Sequence, residues 1–296
     1  HSLTKTGYGN LTVGEGYVTN AGPIRIVGPG ILTVMFGFDL GGFDAPALTT
    51  VNDVSISADR MPAQRRPLVI ESGTLTMYTS NYENGSPDVN AWLGPVTMSA
   101  GTTFSLETKH DATMNALFTL AGELSGGGSL SVTARTRGIV AITNADNSAW
   151  TGNLSFNGGE GGVRAEWPGS IPEPAKILFS YGRLVTPFPN WSRSEILGMA
   201  NGATLQNNAT VSVDTSAAED GTDLALASAD VTSDAFGLGH EGTNAMNLVV
   251  SDAVAKPVAL SSHNGTLRVT GAGALTLRET AATSDLNLGW GRIAFD

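Results

Sequence analysis

The feature that most constrains this chain is a short phrase of strand-forming residues, broken by glycine, that recurs along its whole length. Three copies align without gaps, at positions 3–13, 132–142 and 267–277. In each copy an apolar residue opens the phrase, a glycine interrupts it, and an apolar-x-apolar strand follows. Alternation of period two on both sides of the glycine is typical of strands with one buried face. The phrase therefore predicts a repeat architecture in which strands turn back at glycine and stack on one another.

Looser copies of the phrase lie between these three, at positions 30–34, 73–77, 94–98, 101–106, 128–132 and 202–205. Strand-sized pieces thus recur about every 10–25 residues, a spacing expected both for the coils of a solenoid and for the hairpins of a sandwich. We expect an all-β fold, a single-stranded parallel β-helix (β-solenoid) with irregular loop excursions. An antiparallel β-sandwich is the alternative.

Helix signals are scarce. The segment 194–200 could form a turn or two, but Gly198 interrupts it, and the segment 220–227 alternates like a strand. Less regular stretches hold most of the Pro, Trp, Phe, Tyr and Arg, and we interpret them as loops that leave the regular coils. These stretches are 36–66, 78–92, 144–150, 164–194 and 233–246. We expect one continuous β-solenoid domain over 1–296, with possible sub-units at 1–127 and 128–296.

Composition limits the partners that the chain can have. Only 15% of its 296 residues are charged, and 16 Lys and Arg against 27 Asp and Glu give a net charge of -11. No basic block is present of the kind that a nucleic-acid groove requires, so we expect no nucleic-acid binding. No apolar run reaches the roughly 18–20 residues of a membrane span, so we expect no membrane insertion. The absence of cysteine excludes disulfides, thiolate catalysis and Cys-ligated metal sites.

The repeated phrase resembles that of the autotransporter-associated β-strand repeat proteins of bacterial cell surfaces. In that family a Leu-x-Lys-x-Gly-x-Gly-x-Leu-x-Leu phrase precedes an Asn-x-aromatic-Thr-Gly phrase, and these are similar to positions 3–13 and 147–159 here. The chain departs from the family pattern at Ala134 and Val269, which replace the lysine, and at Thr136, which replaces the first glycine. The resemblance implies a parallel β-solenoid that a bacterium exports to its surface or to the extracellular space.

Residues with obvious chemistry are few. Of the four histidines only His240 has acids nearby, Glu241 and Asp234, and we interpret this group as part of an ordinary loop. The densest acidic stretch could offer oxygen ligands to weakly bound calcium, although it lacks the spacing of a calcium loop, and we interpret it as a solvated face. Its members are Asp214, Glu219, Asp220, Asp223, Asp230 and Asp234. We predict no catalytic residue, no cofactor and no defined metal site.

Carbohydrate is the ligand class that the remaining residues suggest. Carboxylates on adjacent coils could act on a polysaccharide, as in a lyase or hydrolase on a β-helix scaffold. The best candidates are Asp39, Asp44, Asp53 and Asp59, close in sequence to Arg60, Arg65 and Arg66. Aromatic rings could stack on sugars or dock a partner, and Trp92, Trp167 and Trp191 are possible contacts of this kind. The alternative for each tryptophan is that it covers the core beneath a long loop.

Both ends of the sequence are strand-like, and neither carries a polar cap. An unpaired strand edge invites pairing with another edge, so we expect head-to-tail self-association into a filament. The possible subunit contacts are Leu3, Leu11, Val13, Ile293 and Phe295. The leading expectation is therefore a non-enzymatic extracellular structural protein. An adhesin or module that binds surface glycans, and a polysaccharide-cleaving enzyme, are the alternatives.

Overall fold

A computed structural model describes residues 2–13, 22–34, 40–59, 63–80, 91–109, 117–134, 138–159, 161–218, 221–278 and 292–295. Contacts divide the chain into two compact units. The first contains His1–Gly161 with Gly169–Pro172, and the second contains Gly162–Pro168 with Glu173–Asp296. The main division thus lies at 161/162. One continuous domain with possible sub-units at 1–127 and 128–296 stays a prediction. The fold is a parallel β-solenoid with very little helix, as predicted, and the antiparallel sandwich is wrong.

The described strands of the first unit are short, and most hold three to seven residues. They are β1 (Leu3–Thr6), β2 (Asn10–Val13), β3 (Ile24–Val27), β4 (Gly30–Val34), β5 (Leu48–Val51), β6 (Val54–Asp59), β7 (Leu68–Ile70), β8 (Thr74–Ser80), β9 (Ala91–Trp92), β10 (Val96–Met98), β11 (Thr103–Lys109), β12 (Leu117–Leu120), β13 (Leu124–Gly126), β14 (Ser129–Ala134), β15 (Ile139–Ile142) and β16 (Leu154–Gly158).

These strands form three parallel sheets, which we call the first, second and third faces. The first face has the order β1-β3-β5-β7-β10-β13, and the second has the order β2-β4-β6-β8-β11-β14-β16. The third face has the order β9-β12-β15. Because each strand pairs with the strand one coil earlier and one coil later, the main-chain amides and carbonyls of the inner coils are satisfied from coil to coil.

Stacked apolar columns make the core of the first unit. On the second face one inward column contains Leu32, Ile56, Met77, Leu106 and Val132, and each of these side chains is at most 1% exposed. Complete burial of such a side chain contributes about 1.5–3 kcal/mol. A slip of one residue would turn a whole column toward solvent, so these columns fix the register.

Several corners between the first and second faces contain a residue with a left-handed backbone. Gly73 (φ 72°) and Asn52 (φ 60°) occupy equivalent corners of successive coils. A side chain on Gly73 would overlap the main chain of Asn52, because the two coils approach closely there. The glycines that divide the repeated phrase in the sequence therefore mark real corners of the coil.

The second unit contains β17 (Gly162–Ala165), β18 (Ile177–Phe179), β19 (Arg183–Pro187), β20 (Thr204–Leu205), β21 (Thr210–Asp214), β22 (Thr222–Leu226), β23 (Gly237–Glu241), β24 (Ala245–Val250), β25 (Ala259–His263), β26 (Thr266–Thr270) and β27 (Arg292–Phe295). Within this unit the parallel sheets have the orders β17-β19-β21-β23-β25, β18-β20 and β22-β24-β26-β27. Short 3-10 helices of this unit lie at Pro174–Lys176 and Ser228–Asp230, and a third, Pro168–Ser170, contains residues of both units.

The structure corrects two parts of the predicted element order. A helix, α1 (Arg193–Gly202), forms although Gly198 lies inside it, because Gly198 is on its exposed side and a capping box of Ser192 and Glu195 starts it. The stretches interpreted as loops also contain regular strands: β5 and β6 lie within 36–66, β19 lies within 164–194, and β23 lies within 233–246. The strand-like alternation near position 224 is confirmed by β22.

Candidate functional site

Two of the three tryptophans proposed as ligand contacts belong to the core. Trp92 is 0% exposed and Trp191 is 1% exposed, so neither indole can stack on a sugar in this structure. The indole Nε1 of Trp92 donates to the carbonyl of Arg66 at 3.0 Å, and that of Trp191 donates to the carbonyl of Ala165 at 2.9 Å. Both side chains therefore join one coil to the preceding one. Of these three tryptophans, Trp167 is the one accessible to a ligand, at 40% exposure.

The carboxylates and arginines named as candidates for a polysaccharide cleft are not all described, and those that are described lie in different environments. Asp39 and Arg60 lie outside the described residues, as does the side chain of Asp59. Asp44 and Arg65 are exposed, whereas Arg66 is fully buried and its guanidinium donates to the carbonyl of Gly22 at 3.0 Å. Asp53 is exposed at a corner, where its Oδ1 accepts from the Thr74 amide at 2.9 Å.

The described members of the acidic stretch each have a different partner. Asp214 pairs with Arg164, Asp230 with Arg193, and Asp234 with Lys256 at 3.0 Å. Asp223 accepts from the Asn247 amide at 2.7 Å. Glu219 and Asp220 lie outside the described residues. Among the residues with assigned positions, no group of three or more His, Asp or Glu could hold a metal ion.

A groove of about 360 Å³ lies on the solvent side of the second face, across β2, β4, β6 and β8. Tyr8 lines one end of it, from the turn that joins β1 to β2. Gly7 (φ 73°) and Gly9 (φ 106°) flank this tyrosine, and they give the turn a shape that L-residues rarely adopt. The Tyr8 side chain is 89% exposed. The Gly-Tyr-Gly sequence between two strands was the available signal for this site, and the sequence prediction missed it.

A row of outward residues forms the floor of the groove and continues beyond it. Parallel pairing places these residues in register on successive strands, and we call them the polar row: Asn10, Ile31, Ser55, Thr76, Ser105, Ser131 and Ser155. Successive members are about 4.8 Å apart in the stacking direction, as the strands are. All except Ile31 carry a hydroxyl or an amide. The row thus offers hydrogen-bonding groups at a regular interval.

Ion pairs in the second unit join alternate coils. Arg164 of β17 pairs with Asp214 of β21, and the Nε of Arg183 in β19 lies 2.6 Å from Oε2 of Glu241 in β23. Burial opposes ionisation of Asp214, but hydrogen bonds from Ser216 and the pair with Arg164 outweigh it and lower the pKa of Asp214. Burial raises the pKa of Glu241 against the attraction of Arg183. Because each carboxylate is engaged by a guanidinium, this arrangement ties coils together.

His240 lies inside this unit and not in a loop, which corrects the sequence interpretation. It belongs to β23 and is 0% exposed. Its Nε2 is 2.9 Å from the hydroxyl of Thr215, while its Nδ1 is buried without a hydrogen-bond partner. Burial lowers the pKa of His240 to about 4, against the attraction of Asp214. A neutral imidazole at pH 7 is therefore part of the core.

The side chains expected at the ends lie on edge strands. Leu3, Leu11 and Val13 of β1 and β2 are partly exposed, as is Ile293 of β27, and Phe295 is 56% exposed. Among the described residues, no helix has both the length and the apolar character that crossing a bilayer requires. Neither the protein-family models, nor the curated proteins, nor the solved structures with which the chain was compared give a match.

Proposed function

We propose that this chain is a non-catalytic structural module of the bacterial cell exterior, which associates end to end through its outermost strands. The observation that carries the proposal is a pair of incomplete columns. In the first unit, Leu11 and Val13 are partly exposed, whereas their register partners one coil inward, Leu32 and Val34, are at most 1% exposed. One further layer of strands would bury them in the same way.

The last described strand of the second unit has the same character. β27 pairs with β26 alone among the described strands, and Phe295 is 56% exposed although its register partner Val269 is 8% exposed. Both edges are parallel strands of four residues with apolar side chains in line with the core. A contact between two such different edges is heterologous, and it propagates into a filament unless the rotation closes a ring.

The acidic surface is consistent with an exported module. A net charge of -11 gives the chains mutual repulsion, against which contact between apolar strand edges is the favoured one. Main-chain pairing between coils and burial of the stacked apolar columns stabilise the fold. A structural role of this kind does not require reactive side chains. The resemblance to autotransporter-associated repeats supports placement at a bacterial surface.

The test compares two phenylalanines of equal exposure. Phe295→Glu places a charge at the edge strand, whereas Phe43→Glu changes a side chain that is 55% exposed and lies in a turn outside the described strands. We expect wild-type protein to sediment as concentration-dependent oligomers and to form fibres in negative-stain images. We expect Phe295→Glu to abolish both and Phe43→Glu to retain both. Monodisperse wild-type monomer at high concentration, or equal loss in both variants, would contradict the proposal.

A further inference from the structure

We propose that the groove on the second face binds a neutral glycan chain, with Tyr8 stacking on a sugar ring and the polar row bonding to its hydroxyls. The groove shares β2 with one of the edges that the proposed function uses, but it involves the outward side chain of Asn10, whereas the edge contact involves the inward Leu11 and Val13, so neither proposal requires the other. Three properties of the groove carry the inference: the placement of Tyr8, the repeat of the polar row, and the charge of the lining.

The placement of Tyr8 provides an aromatic platform. A tyrosine that is 89% exposed contributes almost nothing to the core, yet left-handed glycines on both sides build the turn that holds it at the mouth of the groove. The negative face of an aromatic ring attracts positively polarised C–H groups, and one face of a pyranose presents such groups. Ile31, which is 37% exposed on the floor, adds a second apolar contact.

The polar row can form hydrogen bonds with the hydroxyl groups at the edge of a sugar ring, whose face would contact Tyr8. Asn10, Ser55 and Thr76 lie within the groove, and Ser105, Ser131 and Ser155 extend the row along the stacking direction. Groups repeated about every 4.8 Å suit a polymer that repeats its own hydroxyls, because successive units meet equivalent partners. A single small molecule would use only the part of the row inside the groove.

The charge of the lining selects against acidic sugars. Asp53 is the charged residue of the lining, and its Oδ1 already accepts from the Thr74 amide at 2.9 Å. The remaining groups are hydroxyls, amides, main chain and apolar carbon. The Nζ of Lys5 lies beside Gly30 of the lining, but it already donates to the carbonyl of Gly7 at 2.7 Å. An anionic polymer would therefore meet the Asp53 carboxylate and the overall charge of -11. A neutral chain meets no such repulsion.

The test uses cello-, xylo-, malto- and chito-oligosaccharides as neutral probes and oligogalacturonate as the anionic one, with affinities measured by titration calorimetry. Protein carrying Phe295→Glu is used throughout, so that end-to-end association cannot change the result. We expect at least one neutral series to bind and oligogalacturonate not to bind. Tyr8→Ala should weaken binding about 3- to 10-fold, and Tyr8→Phe should retain it.

Matched controls separate the groove from the general surface. Tyr181, 47% exposed beside a left-handed Gly182, provides the control for Tyr8, and Ser131→Ala provides the control for Thr76→Ala. We expect full affinity for Tyr181→Ala, and a larger loss for Thr76→Ala than for Ser131→Ala. Because Tyr8 and Tyr181 are both exposed, neither variant should alter thermal unfolding. The proposal is overturned if no neutral series binds, if oligogalacturonate alone binds, or if Tyr8→Ala and Tyr181→Ala behave alike.

Discussion

The buried imidazole of His240 makes a quantitative prediction about acid stability. Its pKa is about 4 in the folded protein and 6.5 for an ordinary histidine, so between these values the unfolded chain binds a proton that the folded chain does not. Stability must then fall as the pH falls through this window. At 1.36 kcal/mol per pH unit, the loss between pH 7 and pH 4 amounts to about 3 kcal/mol.

Neighbouring groups also titrate, so the experiment must isolate His240. Glu241 has a raised pKa and therefore opposes the acid loss, whereas Asp214 has a lowered pKa and adds to the loss at still lower pH. Both groups are present in His240→Gln, in which an uncharged amide replaces the imidazole. The difference between wild type and His240→Gln, followed from pH 7 to pH 4, therefore reports the histidine alone.

The assay is urea-induced unfolding of both proteins at several pH values, with a parallel NMR titration of the histidine Cε1–H signals. We expect the free energy of unfolding of wild type to fall by about 3 kcal/mol more than that of His240→Gln over this range. One of the four imidazole signals should titrate near pH 4 and be missing from the variant. If both proteins lose the same stability, or if every imidazole titrates with an ordinary midpoint, the assignment of a neutral buried His240 is refuted.

Two further predictions concern the coil-to-coil contacts. Arg183→Met should destabilise the second unit by about 3–5 kcal/mol, because it leaves the Glu241 carboxylate without its guanidinium partner. Adding Glu241→Gln should restore part of the lost stability. A double variant that is no more stable than Arg183→Met would contradict this prediction. Gly122→Ala should lower the free energy of unfolding by about 3 kcal/mol, because the added Cβ would overlap the carbonyl of Gly94. Gly198→Ala should raise it by about 1 kcal/mol, because open space surrounds this helical position and alanine favours the helix. Urea unfolding measures all of these, and changes of the same sign at the two glycines would refute the packing argument.

The fold was predictable where regular alternation and a glycine at the corner of a coil occur together. The pattern at 30–34 coincides with β4, and that at 94–98 contains β10, because alternation and turn glycine agree there. Prediction failed at β5 and β6, where Asn52 supplies the left-handed corner in place of glycine. It failed again at β23, where His240 and Glu241 resemble loop residues until their partners from other coils are known.

The candidate site was less predictable, because exposure in a solenoid depends on the coil above and the coil below. Trp92 and Trp191 are of the residue type that often binds ligands, but each indole donates to a main-chain carbonyl of the preceding coil and is buried. Asp53, a candidate under the alternative of a polysaccharide-cleaving enzyme, lies in the groove and accepts from the Thr74 amide. The polar row could not be recognised without the register, since its members are separated by about two dozen residues in sequence.

The unequal lengths of the coils have a consequence for how such a chain can diversify. Leu48 and Leu68 stack although only 20 residues separate them, whereas Leu68 and Val96 stack across 28. The corner from Leu48 to Val54 takes six residues and that from Leu68 to Leu75 takes seven, so seven of the eight extra residues lie between the strand of the second face and the next strand of the first face. The ladder between Leu48, Leu68 and Val96 is the same for the short and the long coil. We therefore expect that part of each coil to accept an inserted foreign epitope without loss of the strand pairing.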